Sequence, residues 1–170
     1  MIGFRMINRL INLGPIILLY YLSISEIDSY FENYFEILSF NIQLIIIYFW
    51  VLKRPEALGS GHVFIAGLIN DVVMGFPLGL SSLSYLIIYL VGTYIKNMTV
   101  NTKITTDMFT FFIGIFFSNL IFFILLSKFS DISLSFIDIS YNTFFTLLFF
   151  PFFWAIFTLY NSFITTGKYA

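Results

Sequence analysis

The sequence predicts an all-α integral membrane protein: a bundle of six transmembrane helices with both termini in the cytoplasm. Three observations carry this. Of 170 residues, 59% are hydrophobic and only 10% are charged, whereas soluble domains hold about 45–50% apolar and about 25% charged residues. The apolar residues gather into six stretches, each near the roughly 17–25 residues that cross a bilayer as a helix. Threading those stretches puts almost all basic residues on one side, as the positive-inside bias requires. The same composition excludes other classes. A net charge of −1 excludes a polybasic nucleic-acid binder. Without Cys there is no disulfide framework, thiol nucleophile or thiolate metal site. A single His supports neither a conventional metal site nor a His-based triad. No catalytic set, metal or cofactor is expected.

The spans run 10–27, 34–52, 57–75, 78–95, 108–127 and 139–164, within one transmembrane domain covering 1–170. In the first, Arg5 and Arg9 precede an apolar run long enough to span, and no Ala-x-Ala site comes after it. It reads as an uncleaved helix, not a signal peptide. The second carries Asn41 and Gln43, which can hydrogen-bond between helices. It ends in the turn Trp50-Val51-Leu52-Lys53-Arg54-Pro55-Glu56. There Trp50 reads as an interfacial anchor, and Lys53 and Arg54 as inner-side anchors. Pro55 ends one helix and starts the next without losing a needed N–H. The other reading of this turn is a docking patch for a cytoplasmic protein.

Only Gly75-Phe76-Pro77-Leu78-Gly79 separates the third and fourth spans, so they form either a tight hairpin or one re-entrant element. The basic residues decide. With six spans, Arg5, Arg9, Lys53, Arg54, Lys96, Lys103 and Lys168 lie inside and only Lys128 outside. A re-entrant element would move Lys96, Lys103 and Lys168 out. Glu26, Asp28, Glu32 and Glu36 surround the first outer loop. The fifth span holds Asn119 and the small pair Gly114 and Ser118; the sixth holds Asn142 and Pro151, and the proline predicts a kink. His62, near the inner interface, reads as solvated or capping. The many Tyr and Phe residues read as belt and lipid-facing groups.

One carboxylate, Asp71, sits inside a span away from its ends, next to Asn70. A charge there is expensive, about 2.5–3.5 kcal/mol at a helix centre. Gly67, Asp71 and Gly75 recur at i, i+4 and i+8 and so share one stripe, with Gly79 past the turn. Small residues on a stripe admit another backbone, so the carboxylate faces a close helix contact. This leaves two readings. Asp71 is a partner contact, proton relay or ligand site, or it locks the hairpin by accepting bonds from free N–H groups near Leu78, Gly79 and Leu80.

At these residues the chain resembles the rod shape-determining protein MreD family. Tyr48-Phe49-Trp50, then Arg54-Pro55-Glu56, resembles the aromatic-Trp then Arg-Pro-acidic turn of proteobacterial members. Residues 67–79 resemble the family's Gly-Leu-x-x-Asp-x-x-x-Gly-x-Pro-Leu-Gly segment almost position by position. Leu147, Pro151 and Trp154 match the last span loosely. Asn70 departs from the pattern, standing where an apolar or small residue is usual. The resemblance implies a non-enzymatic subunit of the bacterial inner membrane that pairs with the bitopic protein MreC. Through it the subunit acts with MreB, RodA and a penicillin-binding transpeptidase in lateral peptidoglycan synthesis and cell shape. It also implies a fold similar to the vitamin-binding subunits of energy-coupling-factor transporters.

That fold similarity supplies the alternative, a substrate-binding subunit of a vitamin-type transporter. Such a subunit should carry a coupling Ala-x-x-x-Ala pattern in its first span, and this first span contains no Ala. An intramembrane aspartyl peptidase would need two carboxylates sharing a proton. The nearest second candidates, Asp131 and Asp138, fall in an outer loop without the motifs of that family.

Overall fold

The computed structural model describes residues 2–25, 40–98, 104–129 and 136–166, with side chains from residue 13 to residue 164. Among the described residues the chain is entirely helical. Six helices succeed one another: α1 (Ile2–Ile24), α2 (Ile42–Lys53), α3 (Ser60–Met74), α4 (Leu80–Met98), α5 (Ile104–Phe129) and α6 (Phe136–Thr166). A single 3-10 turn, Pro55–Ala57, stands between α2 and α3. By length and composition, α5 and α6 are long and apolar enough to cross a membrane.

The arrangement is built on α2. Its run Leu44-Ile45-Ile46-Ile47-Tyr48-Phe49-Trp50-Val51 has no polar face, and every one of these residues is buried. A helix apolar all round belongs inside a core. The other five follow one another in the order α1, α3, α4, α5, α6, with α6 closing lightly on α1, and α2 packs chiefly on α4 and then on α1 and α6. An aromatic ladder ties α2 to α5 and α6. Tyr48 lies 5.1 Å from Phe111, Phe111 stacks on Phe150 at 4.7 Å, and Phe49 meets Trp154 edge-on at 4.9 Å. Each such pair is worth about 0.5–1.5 kcal/mol beyond burial. Small residues set the closest approaches. Gly92 of α4 faces Val51 and Tyr48, and Gly114 of α5 faces Ile88 and Val91.

Several expectations change. The second helix begins at Ile42, with the Asn41 side chain accepting from Leu44 N–H at 3.2 Å. Asn41 is therefore an N-cap; residues 34–39, expected to open this span, lie outside the described residues. α3 begins at Ser60, not at 57, because Pro55 opens the 3-10 turn and Leu58 is buried beyond it. Tyr48, Tyr85, Phe49, Phe111 and Phe150 are fully buried core, not belt. α6 is longer than the expected 139–164, running Phe136–Thr166 with Pro151 inside it.

Candidate functional site

α3 ends and α4 begins around one side chain. Met74 is the last residue of α3, and Gly75 comes next in the left-handed region at φ 68°, a conformation glycine adopts without a Cβ penalty. The Asp71 carbonyl accepts from Gly75 N–H and from Phe76 N–H, the latter at 2.9 Å. Pro77 then leads a turn closed by Leu80 N–H to its carbonyl at 3.2 Å. Gly79, at φ 98°, holds the third position of that turn, where a type II turn needs positive φ.

The Asp71 side chain, 0% exposed, completes the junction. Oδ2 accepts from Gly79 N–H at 2.7 Å, and Oδ1 accepts from Ser81 N–H at 2.7 Å. These belong to the first N–H groups of α4, which a helix leaves without internal partners. A carboxylate is also favoured at the positive end of the helix dipole. The stripe below it is equally tight. A Cβ on Gly67 would meet the Ser82 backbone, with its nitrogen at 2.5 Å. Ser82 Oγ donates to the Phe64 carbonyl at 3.0 Å, and Asn70 Nδ2 donates to Ser81 Oγ at 3.0 Å. Gly67, Asn70, Asp71, Gly75, Pro77 and Gly79 are thus brought together as one hairpin. Both carboxylate oxygens are engaged with the hairpin's own backbone.

Trp50, Arg54 and Pro55 lie apart from this hairpin, at the α2–α3 turn. Trp50 is only 1% exposed, edge-to-face with Tyr160 at 5.8 Å, and its indole N–H has no hydrogen-bond partner among the described residues. An interfacial anchor would present that N–H to headgroups or water; Trp50 is instead a core residue. Lys53 rests its ammonium 5.0 Å from the centre of the Trp154 ring, within cation–π range. The Arg54 N–H donates to the Trp50 carbonyl at 2.7 Å, and its carbonyl accepts from Ala57 N–H at 2.9 Å. Its side chain is 12% exposed, with Nε 3.6 Å from Glu56 Oε1. Arg54 is tucked against the turn, while Glu56 projects outward.

Three further polar contacts join helices. Gln43 Nε2 donates to the Leu22 carbonyl at 3.1 Å, and Asn119 Nδ2 to Thr143 Oγ1 at 2.7 Å. His62 Nδ1 shares a hydrogen bond with Tyr20 at 2.9 Å. The structure adds three features that sequence reasoning missed. Ser84 and Ser118 stand with their hydroxyls 2.6 Å apart, each also within reach of the other's carbonyl. Gly14 lies so close to the Tyr160 hydroxyl that a Cβ there would collide with it. Asp107, in the first turn of α5, is 0% exposed, near the Tyr48–Thr110 hydroxyl pair. A span starting at 108 leaves it in a loop; its place just before a long apolar run, as a first-turn acid, was the available signal. No protein-family model, curated protein or solved structure matches the chain.

Proposed function

We propose that this chain is an MreD-type scaffold subunit of the bacterial elongation machinery. In this reading it crosses the inner membrane six times with both termini inside, and it has no catalytic centre of its own. The geometry of residues 67–79 is the observation that carries the reading. The fixed positions of the MreD-like pattern have separate mechanical tasks here. Gly67 admits the Ser82 backbone, Asp71 caps α4, Gly75 ends α3, and Pro77 and Gly79 shape the turn. A pattern tied to one hairpin geometry at five positions is hard to meet by chance, which supports the resemblance.

The outer surface supports the multi-pass reading. Phe109, Phe112, Phe116 and Phe117 of α5, with Phe144, Leu148, Phe152, Ile156, Leu159 and Phe163 of α6, are all exposed. Soluble monomers keep contiguous apolar patches to about 300–600 Å²; lipid is the natural solvent for two such faces. From Leu80 to Lys96, α4 rises about 24 Å at 1.5 Å per residue, close to the roughly 30 Å hydrocarbon core once the hairpin tip is added. Such a subunit works by holding partners. The first is an MreC-like bitopic protein, and through it come MreB, RodA and a penicillin-binding transpeptidase. Co-purification in mild detergent, with captured chains identified by mass spectrometry, tests this. An MreC-like bitopic chain is expected; capture of an ATPase pair in its place would refute the scaffold reading and favour transport.

A further inference from the structure

α3 depends on its neighbour α4. Its 15 residues rise about 22 Å, short of a roughly 30 Å hydrocarbon core, and it carries Asn70 and Asp71 side by side. What these groups need comes from α4. Asp71 takes N–H groups of Gly79 and Ser81, Asn70 takes the Ser81 hydroxyl, and Gly67 takes the Ser82 backbone. The need is mutual, because the opening N–H groups of α4 are satisfied by Asp71. In hydrocarbon no water would stand in for either partner.

We infer that α3 and α4 enter the bilayer only as a pair, an interlocked hairpin that is inserted or excluded as one unit. The fit of Gly67 against Ser82, not the hydropathy of α3, decides between the two states. The inference rests on the six-span reading. Because two crossings are gained or lost together, the orientation of α5 and α6 is the same either way.

The full-length chain contains no Cys, so single cysteines can be labelled in spheroplasts with a membrane-impermeant maleimide. Leu78→Cys reports on the hairpin tip, where Leu78 is 73% exposed; Ser133→Cys reports on the stretch of sequence between α5 and α6. Two glycine variants are then compared. Gly61→Leu and Gly67→Leu raise the apolar content of α3 equally. A Cβ at Gly61 meets nothing within 4 Å, whereas one at Gly67 meets the Ser82 backbone. Insertion by hydropathy alone predicts unchanged or stronger tip labelling in both. The interlock predicts that Gly61→Leu leaves it unchanged. Gly67→Leu should lose at least half of it per full-length chain, with Ser133→Cys still labelled from outside. Gly67→Ala, which adds only the clashing Cβ, gives the same pattern in weaker form. Full tip labelling in both Gly67 variants overturns the inference. So does joint loss of the tip and Ser133→Cys labels, since α3 would then fail alone and invert α4, α5 and α6. Absence of tip labelling in Leu78→Cys with both glycines intact would refute the six-span reading itself.

Discussion

Replacing Asp71 separates a hairpin lock from a proton relay. The carboxylate is fully buried and accepts two backbone hydrogen bonds at 2.7 Å. Hydrogen bonds to a charged group contribute about 1.5–3 kcal/mol each. Asp71→Asn keeps one acceptor oxygen and sets an amide NH2 against the other N–H, so one bond is lost. Asp71→Leu loses both, leaves the Gly79 and Ser81 N–H groups unpaired, and puts a branched side chain on the stripe fitted by Gly67. Such overpacking costs a further ~1–3 kcal/mol. Relief from burying a charge, about 3 kcal/mol, is common to both variants and drops out of the comparison. The bond Asn keeps is to a neutral acceptor, about 0.5–1.5 kcal/mol, so Leu should be worse than Asn by about 1.5–4.5 kcal/mol, at least a tenfold shift in the assembled fraction at about 1.4 kcal/mol per decade. Membrane abundance by quantitative immunoblot, scored alongside cell shape, measures this. Asp71→Leu should fall sharply and Asp71→Asn should be milder. Normal and equal abundance of both, with function lost in both, would refute the lock and leave a relay.

The other predictions are more local. A reporter that fluoresces only in the cytoplasm, fused after Ala170, should light up, and a phosphatase inserted between Glu32 and Asn33 should be active; an inactive phosphatase there sinks the six-span arrangement. On the proposed scaffold function, Arg54→Lys should leave rod shape and abundance unchanged if Arg54 is an inner-side anchor, because Lys keeps the charge; its Glu56 pair is long and Glu56 is exposed, and such pairs contribute little. Loss of rod shape at normal abundance would instead reveal a forked guanidinium contact that Lys cannot make. Gly14→Ala should destabilise the chain in detergent by up to about 2 kcal/mol, that is, overpacking of about 1–3 kcal/mol against the Tyr160 hydroxyl less the about 1 kcal/mol by which Ala outdoes Gly within a helix, and the same substitution should cost less in a Tyr160→Phe chain than in the parent. A cost just as large in the Tyr160→Phe chain would mean the Tyr160 hydroxyl is not what Gly14 accommodates. Ser84→Ala and Ser118→Ala should couple by about 0.6–1.7 kcal/mol in a double-mutant cycle, the range for polar contacts between membrane helices; strict additivity would show that the two hydroxyls act separately.

What the sequence made legible depended on how far apart in the chain the partners lie. The Asp71 hairpin could be read because its partners come within ten residues. The i, i+4, i+8 recurrence of Gly67, Asp71 and Gly75 marked the contact face, and the next helix had to supply the donors. The expected donors lay around Leu78 to Leu80; the observed ones are Gly79 and Ser81. Gly14 against Tyr160 and Ser84 against Ser118 span long stretches of chain, and no local period records them. Trp50 was misplaced for a related reason. Its position beside Lys53 and Arg54 suggests an interface, but that assumes the helix reaches one with a free face. The unbroken apolar run from Leu44 to Val51 argued the opposite: a helix without a polar side is enclosed by others, so its Trp is enclosed too.

Among the described residues two carboxylates, Asp71 and Asp107, are fully buried, and they bear on chemistry. The sequence pattern marks Asp71 but not Asp107, although both are 0% exposed. A peptidase of the aspartyl type requires two such groups to share a proton, so their separation matters more than their number. Asp71 is bonded at the first residues of α4. α5 runs antiparallel to α4, with Ser118 opposite Ser84 and Gly114 opposite Ile88 and Val91. Asp107, two turns before Gly114, therefore lies beyond Val91, toward the far end of α4. About 15 residues of helix separate the two levels, on the order of 20 Å at 1.5 Å per residue. Charges so far apart cannot hold one proton between them. Each carboxylate serves its own end of the bundle, and the one at the α3–α4 turn is already committed to backbone N–H groups.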